Sequence, residues 1–176
     1  MKFQKVYVHV YTGNGKGKTT AALGQAVRAA GAGLKTFILQ FMKEYPYSEI
    51  ISLKELNNWI TVEQYGKDDF VYKGKLPSEE DLAIAVRALK RAEDIMLAKE
   101  FDIIILDEIL VAVYFKLFSK DDVSNLINIK PENIELILTG RYCPDKILDA
   151  ADLVTEMKNI KHYYQEGVVA RKGIES

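Results

Sequence analysis

Short apolar runs alternate with longer amphipathic stretches along most of the chain. The runs are rich in β-branched residues and apolar on both faces, which is typical of strands buried in a parallel sheet. Six of them predict strands, the third and the sixth being the weakest: residues 5–11, 36–41, 61–65, 101–108, 134–139 and 153–156. The fourth run closes in two acids, so polar side chains are expected where that strand ends.

Helix signals fill the spaces between these strands. The stretch TTAALGQAVRAAGAG, after the first strand, is alanine-rich and predicts a helix that ends at Gly31 or Gly33. A serine followed three residues later by an aspartate predicts helix starts at Ser78 and Ser119. The helix after Ser78 is expected to run to about Lys99. Its apolar positions that share one face are Leu82, Val86, Leu89 and Met96.

The order of these elements predicts the fold class. Strands that alternate with helices indicate an α/β fold, with a parallel sheet covered by helices on both faces. The 176 residues contain no repeat and no linker rich in proline, glycine or serine, which predicts a single domain over residues 1–176. Such a sheet binds ligands at the carboxyl ends of its strands, where both the glycine loop and the two acids fall.

Composition and charge narrow the classes of partner. Hydrophobic residues make up 48% and charged residues 28% of the chain, as in ordinary soluble globular proteins. A net charge of −1 exerts no general attraction on nucleic acid or an anionic membrane, so neither is expected as a partner. The N-terminal stretch MKFQKVYVHV shows no long apolar region before a small-residue cleavage site, and no run of about 18 apolar residues occurs. The one cysteine, Cys143, cannot form an internal disulfide. The sequence therefore predicts a cytoplasmic protein.

The stretch TGNGKGKTT at residues 12–20 matches the phosphate-loop pattern G-x-x-x-x-G-K-[ST], except that Thr12 replaces the first glycine. In such a loop, backbone N–H groups surround a phosphate, Lys18 reaches its oxygens, and the Thr19 hydroxyl can bind Mg²⁺. A glycine-rich turn is the alternative, but a turn requires neither the GKT sequence nor Lys16. The loop residues predicted to bind nucleotide are Thr12, Gly13, Asn14, Gly15, Lys16, Gly17, Lys18, Thr19 and Thr20.

Asp107 and Glu108 end a strand that is expected to lie beside the first strand. An acid in this place binds the Mg²⁺ of a nucleotide directly or through water. If the strand continues, the two side chains point to opposite sides, and one of them faces the metal. The alternative is a pair of solvated acids. Arg141, directly after another strand, is placed either to meet phosphate or to form a surface ion pair.

The segment from residue 41 to residue 72 is unusually aromatic. Its aromatic residues are Phe41, Tyr45, Tyr47, Trp59, Tyr65, Phe70 and Tyr72. Loops of this composition can line a pocket for a large flat ligand. Packing beneath the loops is the alternative for each of them taken singly. As a group they indicate a bulky apolar co-substrate.

Motifs throughout the chain resemble those of the ATP:corrinoid adenosyltransferases, a family of phosphate-loop enzymes. The resemblance begins with TGNGKGKTTAALG at residues 12–24, including the threonine in place of the first glycine. It continues through QFMK at 40–43, DFVY at 69–72, LDE at 106–108, TGR at 139–141, ADLVTEM at 151–157, KH at 161–162 and GVVARKGIE at 167–175. The loop is shared by many folds, but its combination with the C-terminal motifs is specific.

This resemblance implies a RecA-like phosphate-loop fold, usually in a homodimer. It implies transfer of the 5′-deoxyadenosyl group of ATP to the Co(I) of a reduced corrinoid, with release of triphosphate. Mg²⁺ or Mn²⁺ is the implied metal cofactor, and a flavoprotein reductant is a further implied partner. The rival hypotheses are a small-molecule kinase or NTPase, which releases ADP, and a non-catalytic module that binds a corrinoid in an ATP-dependent way.

The resemblance also assigns roles to residues. Lys16, Lys18 and Thr19 fall on positions that hold the triphosphate and Mg²⁺, and Glu108 falls on the acid beside the metal. Arg28 and Arg141 match positions expected near the nucleotide.

Phe70 and Tyr72 match an aromatic pair that crowds the lower face of the corrin. In the family this pair keeps the cobalt without its lower axial ligand and eases its reduction to Co(I). Together with Lys18, these two residues are the predicted catalytic residues.

Overall fold

The computed structural model describes residues 4–44, 47–67 and 76–175. Its six strands form one sheet in the order β3-β2-β4-β5-β1-β6, and all neighbouring strands are parallel. The strands are β1 (Val8–Thr12), β2 (Thr36–Phe41), β3 (Ile60–Tyr65), β4 (Ile103–Asp107), β5 (Glu135–Thr139) and β6 (Leu153–Glu156). The α/β fold class and all six predicted strands are therefore confirmed. Since one sheet takes strands from both ends of the chain, it favours the single domain, which stays a prediction.

Six α-helices lie among the described residues. They are α1 (Lys18–Gly31), α2 (Ser48–Leu53), α3 (Glu79–Ala98), α4 (Ile109–Tyr114), α5 (Lys120–Ile129) and α6 (Asp145–Ala150). Ser78 and Ser119 both form the predicted capping boxes, and Gly33 takes the left-handed conformation after α1, at a φ of 74°. The three helices of six residues were not predicted, because a stretch this short shows less than two helical turns of periodicity. In the described part of the chain, no helix is both long and apolar enough to cross a membrane.

Both faces of the sheet are covered, so two hydrophobic cores form. On one face, α1 and Leu53 of α2 pack over Ile38, Ile105 and Ile137. On the other face, α3 to α6 pack over a larger set of sheet residues that includes Leu106. The predicted two-sided covering by helices is therefore confirmed.

The buried face of α3 differs from the predicted one. Leu82 and Val86 are 37% and 59% exposed, and Leu89 is only partly buried. The residues of α3 that are buried are Ala85, Ala88, Ala92, Ile95 and Met96. The sheet beneath carries the bulky side chains of Phe37 and Phe41, and small alanine side chains let the helix lie close above them. Side-chain volume in the facing layer therefore decided which stripe of the helix turned inward.

The aromatic residues of 41–72 that the structure describes do not all line one pocket. Phe41 is buried in the core, where its ring meets Phe118 at a centroid distance of 5.6 Å. Trp59 precedes β3, and the parallel register puts it at the opposite end of the sheet from Phe41, roughly 20 Å away at about 3.3 Å per strand residue. The prediction of a shared lining is therefore wrong for these two residues. Tyr45, Phe70 and Tyr72 lie outside the described residues.

Candidate nucleotide and metal site

The glycine loop lies against the chain that follows the edge strand β6. The Gly15 N–H donates to the Met157 carbonyl at 2.6 Å, and the Met157 N–H donates to the Thr12 carbonyl at 2.8 Å. A Cβ atom on Gly13 or Gly15 would lie 2.5 or 2.7 Å from the Met157 oxygen. Glycine is required at both positions because the two backbones approach this closely.

Thr12 occupies a place that does not require glycine. It is the last residue of β1, it is 9% exposed, and it pairs with Glu156 of β6 in the parallel register. Its φ is not positive, whereas Gly13 and Gly17 have φ values of 94° and 117°. Because the chain leaves the strand only after Thr12, this variant loop accepts a Cβ there and confines its special geometry to the following glycines.

Lys18 bends back over the loop. Its Nζ donates to the carbonyl oxygens of Gly13 and Gly15 at 2.8 and 2.7 Å, and the residue is 6% exposed. Burial, followed by the nearby Arg141 charge, lowers the pKa of Lys18, and the carboxylate of Glu108 opposes the shift. A phosphate that reached the loop would replace carbonyl contacts with stronger charge-assisted hydrogen bonds.

A cavity of about 290 Å³ opens over the loop, beside Lys18. It is lined by Gly15, Lys16, Gly17, Lys18, Thr19, Thr20, Glu108, Arg141, His162, Ile174 and Glu175. Most of the predicted loop residues, one of the two acids and Arg141 therefore surround one space. The cationic side chains of Lys16, Lys18 and Arg141 line this space, so it can bind a polyanion.

Asp107 is fully buried and accepts hydrogen bonds at both carboxylate oxygens. Its Oδ1 accepts from the hydroxyls of Thr19 and Thr139 at 2.9 and 2.7 Å. Its Oδ2 accepts from Gln40 Nε2 at 3.0 Å and Lys43 Nζ at 2.9 Å. Burial favours the neutral acid, but the Lys43 charge and these hydrogen bonds together hold the pKa of Asp107 below its ordinary value. Asp107 is therefore an ionised anchor for the site.

The position of this acid in the sheet differs from the expected one. We expected β4 to lie beside β1, but β5 lies between them. Thr19 still reaches Asp107, because α1 starts at the end of β1 and passes over the sheet toward β4. The link between loop and acid is thus made by a helix side chain that spans the intervening strand.

Glu108 has a different environment from Asp107. It is the N-cap of α4 with a φ of 62°, its N–H donates to Thr139 Oγ1 at 2.9 Å, and it lines the loop cavity. Burial, followed by the Asp107 charge, raises the pKa of Glu108. A glutamate at positive φ is uncommon, so the surrounding structure must stabilise this backbone conformation.

The donor atoms at the cavity suit a hard divalent cation. The Thr19 hydroxyl gives its hydrogen to Asp107, so its oxygen lone pairs are available on the cavity side. Oxygen donors from a hydroxyl and a carboxylate are what Mg²⁺ takes beside phosphate oxygens and water. The Asp107 carboxylate already accepts hydrogen bonds from four side chains, so Thr19 and Glu108 are better placed to bind the cation.

The two arginines expected near the nucleotide lie in different places. Arg141 follows Gly140, whose φ is 142° and whose added Cβ would lie 2.8 Å from Leu110 Cβ, and this turn brings Arg141 to the loop cavity. Arg28 is exposed in the last turn of α1 and does not line the cavity over the loop. Its role at the nucleotide stays a prediction.

A second cavity of about 810 Å³ adjoins the first and extends between α1 and α2. Its lining residues are Lys16, Thr19, Thr20, Leu23, Gly24, Val27, Lys43, Tyr47, Ser48, Glu49, Ser52, Leu53, Glu108, Gly173, Ile174 and Glu175. Sequence reasoning assigned no role to Lys43, although its place two residues after β2 was a signal. It also assigned no role to Gly173, Ile174 and Glu175, although they end the GVVARKGIE motif that carries part of the family resemblance.

Replacing Gly15 with alanine is expected to weaken ATP binding by at least about tenfold, because the Cβ would push the loop away from Met157 and misplace its N–H groups. Gly31→Ala is the matched control, since a Cβ there meets nothing within 4 Å and lies at the far end of α1. Titration calorimetry with ATP measures both. Equal affinities for the two variants would contradict this account of the loop.

Comparison with known proteins identifies the family of this chain. The family described as ATP:corrinoid adenosyltransferase BtuR/CobO/CobP matches residues 4–176. The chain is 35% identical over 167 residues to the corrinoid adenosyltransferase of Escherichia coli strain K12, covering 94% of this chain and 83% of that protein. It is 34% identical, with the same coverage, to the corrinoid adenosyltransferase CobA of Salmonella typhimurium strain LT2.

Among solved structures, a KaiC-like protein from Pyrococcus horikoshii has a similar fold. The TM-score is 0.56 at 19% sequence identity, covering 98% of this chain and 77% of the other. That likeness supports the sheet and helix arrangement, and the family match extends over the loop, the two acids and the C-terminal motifs. The chain belongs to the family of ATP:corrinoid adenosyltransferases.

Proposed function

We propose that this protein transfers the 5′-deoxyadenosyl group of ATP to the Co(I) centre of a reduced corrinoid and releases triphosphate. The observation that carries the proposal is the cavity where Lys18, Thr19 and Glu108 meet, in a chain of the corrinoid adenosyltransferase family. Lys18 and Arg141 supply positive charge where a triphosphate would lie, and the loop supplies N–H groups.

The reaction requires little activation by the protein. The cobalt of the substrate provides the electron pair for the new cobalt–carbon bond, and the C5′–oxygen bond breaks as triphosphate leaves with its electrons. An activated serine or cysteine is not required. Cys143 is unsuited to that role, because burial, followed by the Asp145 charge, raises the pKa of its thiol to about 12. The task of the chain is to hold C5′ in line and to stabilise the leaving group.

Thr19 and Glu108 would hold Mg²⁺ or Mn²⁺ at this site, with Asp107 accepting the Thr19 hydroxyl hydrogen. The bound ion would add positive charge beside the triphosphate oxygens. Asp107 orients the Thr19 oxygen and is itself held by Lys43 and Gln40. This division assigns the two adjacent acids different tasks.

The test is an anaerobic reaction of chemically reduced cobalamin, Mg²⁺, ATP and the protein. The visible spectrum reports the cobalt–carbon product, and chromatography identifies the released phosphate compound. Light-sensitive adenosylcobalamin with one triphosphate per product is the expected result. Release of ADP would indicate a kinase or NTPase instead, and ATP binding without turnover would indicate a corrinoid-binding module.

Phe70→Ala is expected to impair the reaction that starts from Co(II) by about tenfold more than the reaction that starts from preformed Co(I). The reason is that the family resemblance gives Phe70 and Tyr72 the task of removing the lower cobalt ligand before reduction. Rates are measured with the same variant from both cobalt states, so the Co(I) reaction is the internal control. Equal losses from both states would reject this task.

A homodimer, a flavoprotein reductant and a cytoplasmic location belong to the same proposal. The homodimer has support in the edge strand β6, where Leu153 and Val154 are 43% and 46% exposed. Exposed apolar side chains on an edge strand favour covering by another chain. The reductant follows from the need to supply Co(I), which is the oxidation state that attacks C5′.

A further inference from the structure

The C-terminal residues 171–175, which we call the C-terminal hook, are part of both cavities at the loop. Ile174 and Glu175 line the cavity of about 290 Å³ over the loop as well as the adjoining cavity of about 810 Å³. Gly173 lines the larger one. The hook is held in place by contacts with Tyr163, and it is held where it lines both cavities.

The hook closes on itself through hydrogen bonds between Arg171 and Glu175, and it is attached to the preceding chain through Tyr163. The Glu175 carboxylate accepts at Oε1 a hydrogen bond from the hydroxyl of Tyr163 and another from Arg171 Nη2 at 3.1 Å. Its Oε2 accepts from the backbone N–H of Arg171 at 2.8 Å. The Arg171 guanidinium lies over the Tyr163 ring, 5.0 Å from its centroid. Hydrogen bonds from Arg171 and then Tyr163 lower the pKa of Glu175 to about 2, so its carboxylate is ionised at neutral pH.

The Ile174 side chain of the hook differs in polarity from the other residues that line the loop cavity. Ile174 is apolar and 54% exposed, whereas the cavity over the loop is lined mainly by lysine, threonine, arginine and carboxylate side chains. An apolar side chain gains nothing from a phosphate but is stabilised by contact with a flat, weakly polar ring system. It therefore suits the nucleoside part of ATP, next to the place where the triphosphate lies.

We propose that the C-terminal hook is a wall of the ATP site, in which Ile174 contacts the nucleoside and Glu175 and Tyr163 act as positioning residues that hold it there. This inference rests on the proposed function for the identity of the nucleotide. Gly173 has a φ of 77°, and the N–H groups of Ile174 and Glu175 both donate to the Arg171 carbonyl, at 3.1 and 3.0 Å, so this left-handed turn folds the chain back on itself. The hook thus contributes to binding the uncharged end of ATP and not to holding the phosphates.

The test compares ATP with inorganic triphosphate, both with Mg²⁺ and without corrinoid, by titration calorimetry. Ile174→Ala, Glu175→Gln and Tyr163→Phe are each expected to weaken ATP binding about tenfold and to change triphosphate binding by less than about twofold. The double variant Tyr163→Phe/Glu175→Gln is expected to bind ATP with the same affinity as whichever single variant binds it more weakly. The reason is that both changes disrupt the same contact, the Tyr163–Glu175 hydrogen bond. Glu166→Gln is the matched control, since Glu166 forms an exposed ion pair with Lys161 at 3.8 Å and should bind both ligands like the wild type.

Unchanged ATP affinity in the three hook variants would overturn the proposal. Equal losses for ATP and triphosphate would also overturn it, because the hook would then act on the phosphates. Trypsin gives a second readout on the unaltered protein: ATP, but not triphosphate, is expected to slow cleavage after Lys172 by at least about threefold. Because no corrinoid is present, these results are independent of adenosyl transfer. Transfer activity with normal ATP binding in the variants would remove the hook alone and leave the proposed function in place.

Discussion

Replacing Lys18 with alanine is expected to lower the rate of adenosyl transfer about a thousandfold, which abolishes turnover in practice. Lys18 is the buried cation at the centre of the loop, with its Nζ held by the carbonyls of Gly13 and Gly15. The negative charge of the leaving triphosphate grows as the C5′–oxygen bond breaks, and a fixed ammonium in a cavity stabilises that charge more than water does.

Single-turnover rates with excess preformed Co(I) corrinoid measure this effect without interference from reduction. Lys90→Ala is the matched control, because Lys90 is an exposed lysine on α3 that pairs with Glu93 and Asp94 at 3.0 and 3.1 Å. Its rate should equal that of the wild type. A rate for Lys18→Ala within about tenfold of the wild type would remove the phosphate loop from the mechanism.

Replacing Lys43 with methionine is expected to lower the free energy of unfolding by about 3–5 kcal/mol. Lys43 provides the cation in direct contact with Asp107, whose side chain is 0% exposed, and its own side chain is 15% exposed. Methionine keeps much of the stem volume but removes the charge, so the carboxylate is left buried without its counter-charge. The loss would reach the site, since Asp107 also accepts the hydroxyl hydrogen of Thr19.

Urea unfolding of three further proteins separates this cause from a general effect of the substitution. Lys146→Met removes an exposed pair with Asp121 at 2.6 Å and should change stability by less than about 1 kcal/mol. Lys43→Met/Asp107→Asn should recover more than half of the loss, because the buried charge is gone, and Asp107→Asn alone supplies the remaining corner of the cycle. A loss below about 1 kcal/mol in Lys43→Met would contradict the pairing.

The pH dependence of the free energy of unfolding, compared between the wild type and Lys43→Met, tests the same ion pair in a second way. The pKa of Asp107 is lowered in the folded protein, so its ionisation contributes stability above the ordinary pKa of the unfolded chain. That contribution is lost as the pH falls through the folded value. In Lys43→Met, burial without the cation should raise the pKa, and stability should then increase as the pH falls toward about 4. The contribution of Asp107 to stability is therefore expected to fall with decreasing pH in the wild type, below about pH 4, and to rise with decreasing pH in Lys43→Met, above about pH 4.

Local signals in the sequence were enough for the elements and for the centre of the site. The strands have continuous apolar runs, the two long helices after Ser78 and Ser119 have capping boxes, and the loop has its glycines, lysine and threonine within nine residues. Each of these signals acts between residues fewer than about ten positions apart, so it can be read from the sequence alone. Thr12 was visible as a departure from the pattern, but only the strand geometry explained it.

What the sequence by itself determined, then, is an α/β chain with a phosphate loop and an acid pair at strand ends. Only the tertiary structure decided that β5 separates β4 from β1, that Lys43 and Thr139 both reach Asp107, and that Glu108 lines the cavity. Thr19 and Asp107 are 88 positions apart, and their contact depends on which strands become neighbours and where each helix crosses the sheet. Those choices follow from packing both faces of the sheet at once, a property of the whole chain that no short stretch contains.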